Sequence, residues 1–281
     1  MNVIGLGQAG CNIAKLFEKY SYYNVILFDS VPEYKNMKNH YFIPKQASVE
    51  LYDANPINVR PKMNGDEIMF FVCGSGKVSG CTLWLLEQFK NKKITVYYII
   101  PEVELLDNKA KLRNKAHLMI LQQYARSGMF DRICLIENRK MKEIIGKVSI
   151  IKYYQKMNDY LVNIIHMLNV FKNTDTAFDT FQQNLNTCRI TTISAYDIDN
   201  KEEKTLFSLK NINQIKYFFG INRLRIEEDE NLIDEVTSIS TTCSSSECLT
   251  SYGIFETSYD HDICFVVKST AEIQNINMEE R

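Results

Sequence analysis

Two glycine-rich segments contain the residues whose types and spacing could bind phosphate groups. They are residues 5–10, with the sequence GLGQAG, and residues 74–80, with the sequence GSGKVSG. Glycine adopts positive φ without a side-chain clash and lets a ligand approach main-chain N–H groups closely. Two hydroxyls, Ser75 and Ser79, and the cation Lys77 add side chains that suit an anion. The sequence therefore predicts two phosphate-binding loops, which is more than a one-loop dinucleotide site requires.

Short apolar segments alternate with amphipathic segments throughout the first half of the chain. This alternation is typical of a mostly parallel sheet with helices on both faces. The predicted strands are residues 2–6, 24–28, 68–73, 95–100 and 132–136, and the predicted helices are residues 11–20, 81–89 and 109–126. Because both glycine segments follow a predicted strand, we expect them at the carboxyl edge of the sheet, where parallel sheets bind ligands.

A long helical pattern opens the second half of the chain. Apolar residues recur at spacings of three and four over residues 149–171, which predicts a central helix. The elements expected after it are helices over 178–186 and 228–239 and strands over 189–196, 215–221 and 263–268. Residues 240–251 are polar, which indicates a surface loop.

Two familiar nucleotide motifs explain only part of this pattern. The first glycine segment has Rossmann spacing, and Asp29 ends the second predicted strand near the position of a ribose-binding acid. That interpretation, a NAD-dependent oxidoreductase, leaves the second segment and the central helix unexplained. A P-loop is excluded by spacing, because Phe71 and Val78 stand where a glycine and a Ser or Thr are required.

An ordered set of motifs resembles the tubulin/FtsZ superfamily of GTP-driven filament proteins. Residues 7–13 (GQAGCNI) resemble the first tubulin phosphate loop, and residues 74–80 resemble the glycine-rich tubulin signature. Tyr154 and Asn158, four residues apart, resemble the base-contacting residues of the central helix. Residues 173–185 (NTDTAFDTFQQNL) resemble the catalytic loop and its helix. The resemblance continues toward the end of the chain and covers nearly all of it in order.

The resemblance implies a site for GTP or GDP with Mg²⁺. Main-chain N–H groups of both loops would bind the phosphates, with Gln8 in the phosphate and magnesium region. Tyr154 would stack on the purine ring, with Asn12 and Asn158 at its edge. Asn138 stands where FtsZ has an asparagine near the nucleoside, or it is only a turn or cap residue. The full set of expected nucleotide-binding residues is Gly7, Gln8, Ala9, Gly10, Cys11, Asn12, Gly74, Ser75, Gly76, Lys77, Val78, Ser79, Gly80, Asn138, Tyr154 and Asn158.

The resemblance also implies catalysis divided between subunits. An acidic loop of one subunit would position the attacking water at the GTP of the next, so the chain would polymerise head to tail. Asp175 is the first candidate acid and Asp179 the second. The loop has one extra residue, since the second acid position is Phe178 when counted from its start and Thr180 when counted from its end. A non-hydrolysing structural relative with the same fold is therefore the alternative.

The signature loop departs from the family pattern at Lys77 and Val78, which replace a Thr and a Gly. A β-branched residue thus stands where the conformation of glycine is expected to be needed. We expect a reshaped loop in which Lys77 adds a phosphate contact. The choice between an active GTPase and a silent relative is expected to depend on these two residues.

The expected fold class is α/β, with a Rossmann-like parallel sheet in the GTP-binding domain. That domain covers residues 1–148, the central helix 149–172, a smaller α+β C-terminal domain 173–270 and a short tail 271–281. An abundance of Asn, Lys, Ile and Tyr suggests an AT-rich genome, and the divergence fits a bacteriophage or plasmid tubulin.

Composition limits the classes of partner. The 281 residues are 45% hydrophobic, enough for packed cores, and the formal net charge of −1 offers no global attraction to nucleic acid or membrane. The eight cysteines are scattered, and no metal site is expected, even at the nearest pair, Cys243 and Cys248. The expected partner is a second copy of the chain, with no indication of an adaptor or cargo. Lacking a signal peptide, the chain is expected in bacterial or phage-infected cytoplasm.

Overall fold

The computed structural model of the protein describes residues 1–32, 38–57, 59–242 and 248–276. Contacts divide the chain into two compact units, each described by itself below. Unit 1 comprises Met1–Val162 and the chain from Ile273 onward, and unit 2 comprises Asn163–Glu272. This boundary falls inside the central helix, and the finer division at residues 148 and 172 stays a prediction.

Unit 1 is built on a parallel sheet. Its strands are β1 (Asn2–Leu6), β2 (Asn24–Asp29), β3 (His40–Phe42), β4 (Glu67–Cys73), β5 (Lys93–Ile100) and β6 (Arg132–Glu137). They lie in the order β3-β2-β1-β4-β5-β6, each parallel to its neighbours. The centres of β4 and β5 are continuous buried apolar runs, as expected for strands covered on both faces. The predicted α/β class is confirmed.

Helices connect these strands. They are α1 (Gly7–Lys15), α2 (Val49–Ala54), α3 (Thr82–Gln88), α4 (Asn108–Ser127), α5 (Asn138–Ile145) and α6 (Tyr153–Lys172), which continues into unit 2. Short 3₁₀ helices cover Leu16–Lys19, Lys77–Cys81, Val103–Leu105 and Ile150–Lys152. α4 begins where the Asp107 side chain accepts from the Ala110 N–H at 2.7 Å, and it ends at Gly128 in the left-handed region. Within the described ranges, none of the helices is long and apolar enough to cross a membrane.

The end of the chain rejoins unit 1 through a pair of amides. The Gln274 main-chain N–H donates to Oε1 of Gln122 at 2.7 Å, and Nε2 of Gln122 donates to the Gln274 carbonyl at 3.0 Å. Both residues are buried, so the pairing satisfies groups that would be costly to leave without partners. The first part of the predicted tail is therefore packed structure, and residues 277–281 lie outside the described residues.

Unit 2 contains a mixed sheet, two helices of its own and the second half of α6, whose Phe171 stacks on Phe255. The strands are β7 (Phe178–Asp179), β8 (Ile190–Asp197), β9 (Glu202–Thr205), β10 (Gln214–Asn222), β11 (Leu249–Thr257) and β12 (Ile263–Thr270), and the helices are α7 (Arg223–Glu228) and α8 (Leu232–Thr242). The order is β9-β8-β12-β10-β11-β7, with β10 parallel to β11 and the other pairs antiparallel. Alternate residues of β10, from Ile215 to Ile221, pack in one buried cluster with Leu232, Val236 and Ile239 of α8.

Two sequence predictions for unit 2 are wrong. Residues 178–186 are not helical, because Phe178 and Asp179 form the edge strand β7 against β11. The polar segment 240–251 is only partly a loop, since α8 extends to Thr242 and β11 begins at Leu249. Cys243, of the nearest cysteine pair, lies outside the described residues.

Candidate nucleotide-binding site

Both glycine segments lie at the carboxyl edge of the unit 1 sheet. β1 ends at Leu6, within the first segment, and β4 ends at Cys73, directly before the second. Leu6 pairs with Val72, and Val72 pairs with Tyr98 of β5, so these strand ends are in register. The parallel sheet thus brings the two predicted loops to one edge.

The first loop is the opening turn of α1. The helix starts at Gly7, whose φ is +69°, and no side chain among the described residues caps it. The first N–H groups of the helix are therefore left for a ligand, at the end where the helix dipole favours an anion. Gln8, Ala9 and Asn12 are exposed on this turn, whereas Gly10 and Cys11 are buried behind it. A Cβ on Gly10 would lie 2.3 Å from the Phe71 carbonyl oxygen, so only glycine lets α1 pack this closely on β4.

The second loop touches the first through Val78. A Cβ placed on Gly7 would lie 2.5 Å from Cγ1 of Val78, closer than Cβ atoms come to other heavy atoms. Gly76 and Lys77 are exposed beside this contact. The two loops therefore form one cradle whose exposed main chain and lysine can receive phosphate groups.

The expected conflict at Val78 does not occur. Val78 lies in the 3₁₀ helix Lys77–Cys81, and among the described non-glycine residues positive φ is found at Asn39, Lys201 and Asn211. The glycines of this loop also have no positive φ. Gly74 and Gly80 are needed for space, since a Cβ on Gly74 would lie 1.9 Å from the Tyr98 hydroxyl and one on Gly80 would lie 2.3 Å from the Val49 carbonyl oxygen. Gly76 has room for a Cβ.

A polar network beneath the second loop supports it from α4. Nε2 of His117 lies 3.0 Å from Oγ1 of Thr82, which donates to the Ser79 carbonyl at 2.7 Å. The Ser79 hydroxyl donates to the Gly74 carbonyl at 3.3 Å. On the other side of Gly74, the Tyr98 hydroxyl bonds to Oδ1 of Asn114 at 2.7 Å. The turn at residues 74–79 is thus held by buried groups that leave its outer surface to a ligand.

His117 is neutral in this network. Burial lowers the pKa of its imidazole from 6.5 to about 4, and the Ser79 backbone offsets only part of that effect. Because Thr82 uses its hydroxyl proton on Ser79, it accepts from Nε2–H of His117. Nδ1 is buried and has no partner among the described residues. A proton added there would have to be buried without a hydrogen bond, which explains the direction of the pKa shift.

Of the residues expected at the base, Asn12 lies on α1 and the others lie near the ends of β5 and β6. Asn138 begins α5 directly after β6 and is half-buried. Tyr154 is 56% exposed at the start of α6, with its ring 5.1 Å from that of Tyr153, and Asn158 is half-buried one turn later. The exposed ring of Tyr154 is free to stack on a planar ligand.

Glu102, which follows β5, ties these elements together. It accepts from the Tyr153 hydroxyl at 2.7 Å and from Nζ of Lys142 in α5 at 2.9 Å. Partial burial raises the pKa of Glu102, but the two hydrogen bonds and the Lys142 charge outweigh it, so its pKa is lowered. An ionised carboxylate thus fixes the start of α6 beside the end of β5.

Asp29 does not have the environment of a ribose-binding acid. Its side chain is buried, accepts from the Ser30 N–H at 2.7 Å, and has a raised pKa because of burial. The interpretation as a Rossmann dinucleotide site therefore keeps the glycine spacing but loses the support of Asp29.

The candidate acids lie in unit 2, on the segment that leads into β7. Asp175 is exposed, and within the described part of the chain its carboxylate has no hydrogen-bond partner. Asp179 accepts from the Thr176 hydroxyl at 2.6 Å and from the Phe181 N–H at 3.1 Å. The two acids thus differ, since Asp179 stabilises its own turn and Asp175 does not.

Pairing with β11 explains why this segment is extended instead of helical. The Ala177 N–H donates to the Ile254 carbonyl, and the Thr180 N–H donates to the Tyr252 carbonyl, at 2.9 and 2.8 Å. Phe181 packs on Gly253, where a Cβ would lie 2.4 Å from its ring. Thr, Asp and Asn, which dominate residues 173–180, have low helix propensity, so these contacts outweigh any helical tendency.

Sequence reasoning missed the supporting residues His117, Asn114 and Glu102. A signal was present in α4, where Asn114 and His117 follow Ala110 at helical spacing on the face that also carries the buried Leu118 and Leu121. Polar residues within an apolar stripe need buried partners. No such signal marks Glu102, because its partners come from elements distant in sequence.

Comparison with known proteins identifies similar folds. No protein-family model matches the sequence, and no curated protein matches it. A GTPγS-form protofilament of TubZ from Bacillus thuringiensis serovar israelensis has a TM-score of 0.71 at 15% identity, covering 95% of this chain and 86% of that chain. An FtsZ dimer from M. jannaschii has a TM-score of 0.67 at 13% identity, covering 96% and 88%. A two-stranded TubZ filament model has a TM-score of 0.70 at 14% identity, covering 95% and 83%. The chain therefore has the fold shared by TubZ and FtsZ.

Replacing Gly7 with alanine should disrupt the cradle. Alanine in the left-handed region costs about 1–2 kcal/mol, and its Cβ would also force the Val78 side chain to move. We expect Gly7→Ala to weaken binding of a fluorescent GTP analogue at least about 10-fold, or about 1.4 kcal/mol. Gly65→Ala is the matched control, because Gly65 has φ +73° and nothing within 4 Å of its Cβ position. Equal binding by the two variants would contradict a role for the Gly7–Val78 contact.

His117 should make stability depend on pH. Its folded-state pKa of about 4 lies below the unfolded value of 6.5, so between these values only the unfolded chain binds the proton. The free energy of unfolding should fall by up to about 3 kcal/mol as pH drops from 6.5 to 4. His117→Gln, which can still donate to Thr82, should show a shallower fall in denaturant titrations. His40 and Asp29 titrate in both proteins, so parallel pH profiles would refute the assignment.

Proposed function

We propose that this protein binds GTP and assembles head to tail into filaments, hydrolysing GTP where subunits meet. The observation that carries the proposal is the single cradle formed by two glycine loops at the carboxyl edge of the sheet, with Val78 against Gly7. A generic dinucleotide site has one such loop. The fold shared with TubZ and FtsZ, whose solved forms include filaments and protofilaments, supports the same conclusion.

The nucleotide fits the groups that the cradle presents. The N–H groups at the start of α1 and at the exposed residues Gly76 and Lys77 suit the phosphates. The Lys77 ammonium adds a charge-assisted contact of about 1.5–3 kcal/mol. Neither loop contains an acid, so Mg²⁺ would be held mainly through phosphate oxygens, with Gln8 nearby. Tyr154 would stack on the guanine, while Asn12, Asn158 and Asn138 would contact the base and ribose edges.

Hydrolysis would use Asp175 of the adjoining subunit. Its exposed carboxylate can orient a water molecule, and β7 fixes the main chain that carries it. Asp179 serves the turn through Thr176 and Phe181, so we assign the catalytic role to Asp175 alone. Because the acid comes from another copy, an isolated subunit would bind GTP without hydrolysing it.

A non-hydrolysing filament protein is the second candidate. The specific observation in its favour is the extended acid loop, which carries one acid committed to local hydrogen bonds and no following helix. In that case the nucleotide would stabilise assembly without turnover. Protein purified under native conditions would then retain GTP instead of GDP.

Assembly should require GTP and show a concentration threshold. We expect light scattering to rise only above a critical concentration, with phosphate release appearing at the same concentration, because both need a subunit interface. Sedimentation with GTP, GDP and no nucleotide checks the dependence. Phosphate release proportional to protein at all concentrations, without scattering, would refute the filament model. Scattering without release would favour the second candidate.

Asp175→Ala separates assembly from hydrolysis. A positioned base contributes about 10²–10⁴-fold, so phosphate release per polymerised subunit should fall at least about 100-fold while GTP binding is unchanged. Asp199→Ala, which removes an exposed acid from the turn after β8, is the control. If Asp175→Ala filaments release phosphate at the control rate, the residue has no catalytic role.

A further inference from the structure

Two neighbouring isoleucines on unit 1 are almost completely exposed. Ile150 and Ile151 are 93% and 94% exposed, more than any other large apolar side chain among the described residues. Fully burying one such side chain contributes about 1.5–3 kcal/mol. Two adjacent isoleucines that are both almost completely exposed to water point to a surface that a partner covers.

The isoleucines stand at a fixed position beside the proposed base-binding residue. They lie in the 3₁₀ helix Ile150–Lys152, which leads directly into α6 and Tyr154. The start of α6 is anchored by the hydrogen bond from Tyr153 to Glu102. A partner seated on the isoleucines would therefore contact the region next to the nucleotide.

The surroundings of the isoleucines are basic, although Arg139, Lys140 and Lys142 are in ion pairs with Glu102, Glu104 and Glu143. Residues 139–156 contain six lysines and arginines against the single acid Glu143. Lys147, Lys152 and Lys156 are exposed on either side of the isoleucines. We call Ile150, Ile151 and these three lysines the basic tip. Its partner should be apolar at the centre and acidic at the rim.

Unit 2 carries a surface of the opposite kind on α7 and α8. Leu224 and Ile233 are 63% and 51% exposed, and their neighbours Glu227, Glu228, Glu230 and Asp234 are exposed acids. Residues 223–235 contain six acids against two arginines. We call this surface the acidic face.

Arg225 holds the two helices of the acidic face together. Its guanidinium pairs with Asp229, which follows α7, with Glu235 of α8, and with Asp262. These pairs occupy Arg225, and Arg223 pairs with Glu227, so Glu228, Glu230 and Asp234 are the acids left to a partner. The acidic face is thus a fixed surface on which the basic tip of another molecule could dock.

We propose that the basic tip of one copy docks on the acidic face of a second copy. The inference rests on the proposed head-to-tail assembly and names the surfaces that make the contact. Since the tip and the face are different patches of one chain, the contact is heterologous, and each copy offers one of each. An anionic membrane would also attract a basic and apolar tip. It would, however, leave the acidic face without a partner.

Replacing both isoleucines tests the tip. Ile150→Ser/Ile151→Ser should raise the critical concentration for GTP-dependent scattering at least about 10-fold. Leu112→Ser is the matched control, because Leu112 is 69% exposed on α4 outside both surfaces. The double variant keeps its acidic face, so at about one-tenth of the wild-type concentration it should add to filaments and stop their growth. A misfolded variant would not stop growth in this way.

Charge reversal tests the pairing. Lys147→Glu/Lys152→Glu and Glu228→Lys/Glu230→Lys should each weaken assembly and make it less sensitive to salt. An equimolar mixture of the two variants should assemble better than either alone. In a filament where the two variants alternate, every tip meets a face of opposite charge. Poorer assembly of the mixture than of both components would overturn the pairing.

The outcomes distinguish this inference from the proposed function. If wild-type protein assembles with GTP and the isoleucine variant assembles at the same critical concentration, the tip assignment is wrong and the filament proposal stands. If wild-type protein never assembles, the filament proposal itself fails. A membrane-binding role for the tip would show in three results together. Wild-type protein would co-sediment with phosphatidylserine vesicles, the isoleucine variant would not, and that variant would still assemble normally.

Discussion

The contact between Gly7 and Val78 is the constraint on which the proposed nucleotide site depends. The first residue of α1 has left-handed φ and no Cβ, and the methyl group of Val78 occupies the space that a Cβ would need. Glycine is thus required twice at one position, for its conformation and for the closeness of the second loop. The same closeness turns two separate strand ends into one cradle. Gly10 has a parallel role behind it, since only glycine lets α1 lie against the Phe71 carbonyl.

A cradle made of main-chain groups needs support that does not compete with the ligand. Here the support comes from beneath, where His117, Thr82 and Ser79 bond to one another and to Gly74, and Tyr98 bonds to Asn114. Buried polar networks are rigid when their members are satisfied and costly when they are not. Among the described residues, two nitrogens of this network have no partner, Nδ2 of Asn114 and Nδ1 of His117. The second is tolerated because burial keeps the imidazole neutral. Rigidity of the loop and the lowered pKa of His117 therefore have the same origin.

Periodicity and glycine spacing were sufficient to predict the parallel sheet, the position of both loops and the central helix, because each depends on residues close in sequence. β3, α2 and β11 were missed, since short or polar segments become ordered only through distant partners. The helix expected over residues 178–186 was wrong for the same reason, as Gly253 and the carbonyls of β11 hold that segment extended. The contact of Val78 with Gly7 and the Glu102 bonds to Tyr153 and Lys142 could not be inferred, because they join residues between 40 and 71 positions apart.

The sequence departs from the tubulin/FtsZ motifs in the signature loop and in the acid loop, and the two departures have different structural effects. At Lys77 and Val78 the loop forms a 3₁₀ turn, the valine fills space against Gly7, and no left-handed conformation is imposed. The loop therefore accommodates this change, and Lys77 remains exposed. The acid loop has one extra residue, and a strand forms where a helix was expected. Asp179 accepts hydrogen bonds from its own turn. The proposed choice between an active GTPase and a silent relative therefore depends less on the signature loop than on Asp175, whose exposed carboxylate has no hydrogen-bond partner among the described residues.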